Sequence, residues 1–212
     1  MHELRCTLLG EGNSDRALLH VIRWLLDTRA PRVAVHPAWA DLSRLARRPV
    51  GLTERIRWAI ELYPCDLLFV HRDADREPRE KRVHEIAQAL DEIAGAVPVP
   101  PSICVVPIRM LEAWLLFDEQ ALRGAAGNPG GRVDLDLPPM SVLESMPDPK
   151  SKLRTTLRNA SELAARRREK LLISPDRVAA LTDDFSPLRA LSAFRHFEAD
   201  LDRALDERLV AQ

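Results

Sequence analysis

A chain of 212 residues with 46% hydrophobic and 30% charged side chains and a formal net charge of −1 has the composition of one globular domain with a small appendage. The near-zero charge excludes nucleic-acid binding by overall electrostatics and confines any basic surface to a patch. No apolar stretch is long enough to span a membrane, and Met1 to Arg5 show no basic segment followed by an apolar run, so a cytoplasmic location without a membrane is expected.

Residues 4–9 read as a first strand, and Gly10 to Asp15 as a tight turn with Ser14 as the cap of a helix whose apolar face is Leu18, Val21, Ile22 and Leu25. Residues 32–36 form a short second strand, and 37–49 an irregular segment with a short helix near Leu42 and Leu45. A helix over 53–63 carries Ile56, Ala59 and Ile60 inward and stops at Pro64. Residues 66–71 are a third strand. A helix over 80–94 follows, with Val83, Ile86, Leu90 and Ile93 on one face. After a Pro-rich linker come a strand over 102–106 and a short helix over 110–118. Strands alternating with helices predict a parallel sheet of about four strands flanked by helices, an α/β fold over residues 1–122. The pattern changes near Arg123. Residues 124–140 read as loop, and helices over 149–172, 175–181 and 187–206 form an extension, residues 123–212, packed on the sheet. Cys6, Cys65 and Cys104 make no Cys-x-x-Cys pair, which points to reduced thiols and against a structural zinc.

The third strand ends abruptly: Leu67-Leu68-Phe69-Val70 is continuous and apolar, and His71-Arg72-Asp73-Ala74-Asp75 follows. In an open α/β sheet, ligands gather beyond the carboxyl ends of the strands. If the segment stays extended, Asp73 and Asp75 point to one side and converge on one hard cation, Mg²⁺ being the usual occupant of a sparse carboxylate site. The alternative is an ordinary helix cap. Glu11 and Asp15 lie beyond the first strand and Glu112 beyond the fourth, so all five acids can share one sheet edge. Like charges packed together are costly without a cation, and metal-bridged acids are what phosphoryl-transfer sites use. His71 abuts the pair; it reads as a structural strand-end residue, with contact to a phosphate or a metal as the alternative. Arg72 and Arg109 lie at the same edge, able to bind phosphate or to pair with the acids. Between Lys150 and Lys170 eight basic residues stand against Glu162 and Glu169. They read either as a phosphate-backbone contact or as a solvated helix face. Trp114 reads as core, and Phe194 and Phe197 as anchors of the last helix.

Gly10-Glu11-Gly12-x-x-Asp15 after a first strand, with Asp73-x-Asp75 after a later one, resembles the TOPRIM domain of topoisomerases, bacterial primases, small RNA-maturation nucleases and OLD-type nucleases. Later segments resemble the OLD-type branch and its stand-alone relatives: Pro107-x-Arg109-Met110-Leu111-Glu112-Ala113-Trp114, Asp148-Pro149-Lys150, and Phe185-Ser186-Pro187 leading to Phe194-Arg195-x-Phe197. The resemblance implies a nuclease dependent on Mg²⁺ or Mn²⁺, with one or two ions. It makes Glu11 a metal ligand or general acid/base and gives the first ion to Asp73 and Asp75. Asp15 and Glu112 help hold a second. Lys150, or Lys152 two residues on, neutralises charge at the scissile phosphate. Arg109, Lys152, Arg154, Arg158, Arg166 and Arg167 contact nucleic acid, DNA before RNA.

Full OLD-type proteins carry an ATPase ahead of this domain. This chain has no phosphate-binding Gly-x-x-x-x-Gly-Lys loop, so a separately encoded ATPase partner is expected, in the manner of defence systems against phage. The single tyrosine, Tyr63, falls in the wrong region for a topoisomerase nucleophile, and a primase needs a longer chain. Two alternatives remain: a non-catalytic metal- or nucleic-acid-binding module of an ATPase complex, and an unrelated acid-lined fold such as a phosphotransfer receiver, in which Glu11 would lie remote from Asp73.

Overall fold

The computed structural model describes residues 2–210. Four parallel strands, β1 (His2–Leu9), β2 (Val33–Trp39), β3 (Leu67–His71) and β4 (Ser102–Val105), form one sheet in the order β2-β1-β3-β4. The first crossover, through α1 (Leu18–Arg29), carries the chain outward to β2. The second, through α2 (Gly51–Leu62), returns it past β1 to β3, and α3 (Arg79–Ile93) continues to β4. The strand order therefore reverses between β1 and β3, whose carboxyl ends lie side by side with Leu9 opposite Val70.

The alternation of a pleated strand divides the core in two. Leu67 and Phe69 face α1, while Leu68 and Val70 face α2 and α3. Because both faces are covered, all five residues of β3 are buried, which is why its sequence is a continuous apolar run without alternation. Strand β2 lies at the sheet edge and extends through Pro37 to Trp39, beyond the expected end at His36. An edge strand tolerates a proline because one side of it needs no ladder hydrogen bond.

Beyond Leu115 the chain forms α4 (Glu119–Ala125), α5 (Met140–Leu143), α6 (Pro149–Ala160), α7 (Ala165–Glu169), α8 (Pro175–Ala179) and α9 (Ser192–Val210). Leu122, Leu153, Leu157, Val178, Phe194 and Phe197 from these helices belong to the same buried cluster as α1 and the near face of the sheet. Trp114 packs edge-on against Phe194 with ring centroids 5.3 Å apart, and Phe69 meets Phe197 at 6.1 Å. Helix α9 is further tied to α1 by Glu198, buried with 8% exposure. Its carboxylate accepts Arg189 Nε at 2.9 Å and Nη2 at 2.8 Å and pairs with Arg29 at 2.8 Å.

Local expectations fail at three places. The turn after Gly12 is a 3₁₀ segment, Asn13–Ala17, and Ser14 does not cap it. Asp118, expected to close a helix, instead caps α4 by accepting the Ala121 N–H at 2.9 Å. The helix expected over 149–172 breaks after Ala160, where Glu162 adopts a left-handed backbone with φ of 50°. Its carboxylate accepts the Val133 N–H at 2.9 Å, so a distant loop ends the helix. Among the described residues no helix is long and apolar enough to cross a membrane.

Candidate functional site

The crevice between the ends of β1 and β3 is the topological switch point, where loops diverge and leave room for a ligand. Gly10 opens the first loop. A Cβ there would lie 2.6 Å from the Trp39 ring and 2.8 Å from both Cβ and Oδ2 of Asp15. Only glycine permits that approach, and it lets Asp15 fold back over its own turn. Asp15 is 5% exposed. Its Oδ2 accepts the N–H of Glu11 at 2.6 Å and of Gly12 at 2.9 Å, and its Oδ1 accepts the Ser14 hydroxyl at 3.1 Å.

The second loop leaves β3 at His71, which is 1% exposed. Strand pairing sets His71 opposite Val105, and Nδ1 lies 2.9 Å from the Val105 carbonyl oxygen, an acceptor, so Nδ1 carries the proton. The other ring nitrogen, Nε2, is buried and has no hydrogen-bond partner among the described residues. It lies 3.7 Å from Asp15 Oδ2 and 3.5 Å from Asp73 Oδ1. Asp73 Oδ1 also accepts the Leu111 N–H at 3.0 Å, which joins the loop after β4 to the site. Burial pushes the Asp73 carboxyl up to about 7; His71 and the Leu111 N–H act in the opposite sense, and Asp15 and Glu112 add to the rise. Desolvation of the charged form is the leading cause, with like charge reinforcing it.

Glu11 reaches the same place: its Oε2 accepts the Asp73 N–H at 3.3 Å, and its Oε1 pairs with Arg72 Nε at 2.6 Å. This adjacency of Glu11 and Asp73 removes the condition on which the receiver alternative depends. Asp75 does not behave as expected. The strand stops at His71, and Asp75 has a left-handed φ of 56°, its N–H donating to the Arg109 carbonyl at 2.9 Å. The chain runs on beside residues 105–107 to Ala74 and turns at Asp75, whose carboxylate does not join that of Asp73. Asp75 is half exposed and pairs with Arg82 at 3.5 Å. It lines a separate groove with Arg82, Arg109 and Asp148. Arg109, itself left-handed with φ of 69°, belongs to that groove.

Glu112 is 5% exposed, and no hydrogen bond or ion pair to it is found among the described residues. It lines a cleft with Ser14, Lys150, Arg154 and Arg158. Lys152 faces elsewhere: its Nζ donates to the Asp136 carbonyl at 2.6 Å and pairs with the Asp136 carboxylate at 3.1 Å. Of the two lysines, Lys150 is the one that lines this cleft with Glu112. Arg166 and Arg167 sit on α7, which buries none of its residues.

The fold thus brings together Asp15, His71, Asp73 and Glu11, sets Glu112 and Lys150 at their border, and turns Asp75 away. Among the described residues, however, no three His, Cys, Asp or Glu side chains converge as a ready metal cage. Thiol chemistry has no support, since burial pushes Cys6 up to about 12 and Cys104 up to about 11. His71, read from the sequence as a structural strand-end residue with metal or phosphate contact as the alternative, is buried, bonds to Val105 and faces Asp15 and Asp73. The chain matches no family model, no curated protein and no solved structure.

Proposed function

We propose that the chain is a divalent-cation-dependent nuclease acting at the switch-point acids, on DNA in preference to RNA. The observation that carries this reading is the buried imidazole Nε2 of His71, which faces two carboxylates and has no hydrogen-bond partner among the described residues. Buried polar groups in native proteins are nearly always satisfied, and two carboxylates around a buried ring nitrogen that lacks a hydrogen bond form a donor set suited to a cation. The donor chemistry fits Mg²⁺ or, with an imidazole included, Mn²⁺. Asp15, Asp73 and His71 would hold it, after a side-chain adjustment that brings a third donor into range.

A bound dication would generate a nucleophile from water and offset charge on the phosphodiester. The chain's own groups do the rest. The Leu111 N–H orients Asp73, and the Glu11 and Gly12 N–H groups orient Asp15. Arg72 holds Glu11, keeping it at the rim as a candidate base. Lys150 supplies positive charge at the border for the phosphate. Nicking of supercoiled plasmid with Mg²⁺ or Mn²⁺, lost in Asp73→Asn, is the expected result. Full activity of that variant, or no cleavage by the native chain, contradicts the reading.

A second reading, a non-catalytic metal- or nucleic-acid-binding module of an ATPase complex, is favoured by the ion pairs of Arg72 with Glu11 and Arg82 with Asp75, which neutralise two acids. Cation binding with no cleavage, even beside a co-purified ATPase, would decide for it.

A further inference from the structure

Arg109 stands in a backbone conformation that the fold imposes and that its side chain does not stabilise. Its φ is 69°, in the left-handed region where a Cβ crowds the following carbonyl and glycine alone escapes the cost. Main-chain bonds between two loops set that conformation. The Ala74 N–H donates to the Pro107 carbonyl at 3.1 Å, and the Asp75 N–H to the Arg109 carbonyl at 2.9 Å. The half-buried Arg109 side chain lines the groove it shares with Asp75 and makes no hydrogen bond or ion pair among the described residues. Non-glycine residues held in this region collect at functional sites.

The groove has a volume of about 600 Å³, inside the range of ligand sites, roughly 300–1,000 Å³. Its carboxylates are already engaged. Asp75 meets Arg82 at 3.5 Å, Glu77 meets Lys81 at 3.0 Å, and Asp148 accepts the Ser151 N–H at 2.9 Å at the start of α6. Arg76 lines the groove as well and, like Arg109, has no acid partner among the described residues. Two guanidinium groups therefore face the groove without a counter-charge. Both loops also lead to the acid cluster. Asp75 lies just past Asp73, and Leu111, whose N–H holds Asp73 Oδ1 at 3.0 Å, lies just past Arg109.

We infer that the groove seats one unpaired nucleic-acid strand beside the switch-point acids, with Arg109 and Arg76 on its phosphates. A guanidinium matches phosphate oxygens with paired N–H donors, and a strand carries a phosphate for each of the two. The volume suits a short run of single strand and leaves no room for a duplex. Met110, on the same wall, gives a base an adaptable apolar surface. Resting on the nuclease reading, the inference makes unpaired strands the substrate and places the phosphodiester next to Asp73. It also explains why arginine stands where glycine would fit the backbone better.

The test measures binding of a short fluorescent single-stranded oligodeoxynucleotide to the full chain in a chelator over a range of salt. Arg109→Gly and Arg76→Gln are each expected to weaken binding at least fivefold and to flatten the plot of log affinity against log salt by roughly 0.7. Arg109→Lys, which keeps the charge, is expected to keep the native slope. Arg109→Gly is expected to melt no lower than the native chain, because it relieves the left-handed strain. A lower melting temperature gives the side chain a structural role and overturns the inference. Unchanged affinity in both arginine variants overturns it too. A duplex of the same sequence and an acidic peptide of equal charge are each expected to bind at least tenfold more weakly, and parity of either with the single strand also overturns it. The two readings fail separately. Arginine-dependent strand binding without any plasmid cleavage removes the nuclease and keeps the groove. Plasmid cleavage by a chain whose strand affinity ignores both arginines removes the groove and keeps the nuclease.

Discussion

Asp73→Asn should stabilise the apo protein at neutral and alkaline pH. The carboxyl is raised from 3.8 to about 7, with burial as the leading cause. A raised carboxyl makes the folded chain bind more protons than the unfolded chain between those two values, so stability falls as pH rises through that window and is level above it. At about 1.36 kcal/mol per pH unit, the full span corresponds to roughly 4 kcal/mol at about pH 8. Local relaxation lowers this, and we expect about 2 kcal/mol, a gain in Tm of roughly 4–8 °C for a chain of this size. Asparagine is close in size and keeps an oxygen for the Leu111 N–H. Thermal unfolding of both forms in a chelator, from about pH 4 to pH 8, should show the variant's advantage growing with pH and vanishing toward the acid end. A variant less stable at about pH 8, or a gain of the same size at every pH, would refute the assignment of Asp73 as a desolvated carboxyl.

Gly10→Ala should cost about 1–3 kcal/mol, because the new Cβ meets the Trp39 ring at 2.6 Å and Asp15 at 2.8 Å; a melting temperature within a degree or so of native would contradict this close approach. Glu198→Ala should cost about 1.5–3 kcal/mol by removing the charged hydrogen bonds to Arg29 and Arg189, which can rehydrate, read as an earlier denaturant midpoint. Lys150→Ala should lower any plasmid cleavage at least tenfold, whereas Lys152→Ala, which removes only the pair with exposed Asp136, should change stability by less than about 0.5 kcal/mol and leave cleavage near native. Equal effects of the two lysine substitutions would show that the cleft does not serve the reaction.

The sheet was legible because its signals are local and redundant. Leu67 to Val70 could only be a strand buried on both faces, and Ile56, Ala59 and Ile60 fall on one helical stripe. The features that escaped depend on residues far away in sequence. The break after Ala160 is fixed by the Val133 N–H on Glu162, and nothing between 160 and 164 announces it. The turn at Asp75 is held by backbone bonds from Asp75 to Arg109 and from Glu77 back to Ala74. A local rule for extended chain had no access to that loop. The site was legible as a set of acids at strand ends, and Glu11 does meet Asp73. The placement of His71 was not, because it depends on register: only pairing with Val105 fixes Nδ1 and directs Nε2 at the carboxylates. The choice between Lys150 and Lys152 likewise rests on Asp136, from a loop without any motif.

The most direct measurement is Mn²⁺ titration followed by the electron paramagnetic resonance signal of the free ion, on the native chain and on Asp73→Asn at about pH 8, where the carboxylate is ionised. A saturable loss of the free signal is expected with the native chain, and binding at least tenfold weaker in the variant. Equal binding by both forms, or none by the native chain, would contradict the claim that the acids at the switch point are built to hold a cation.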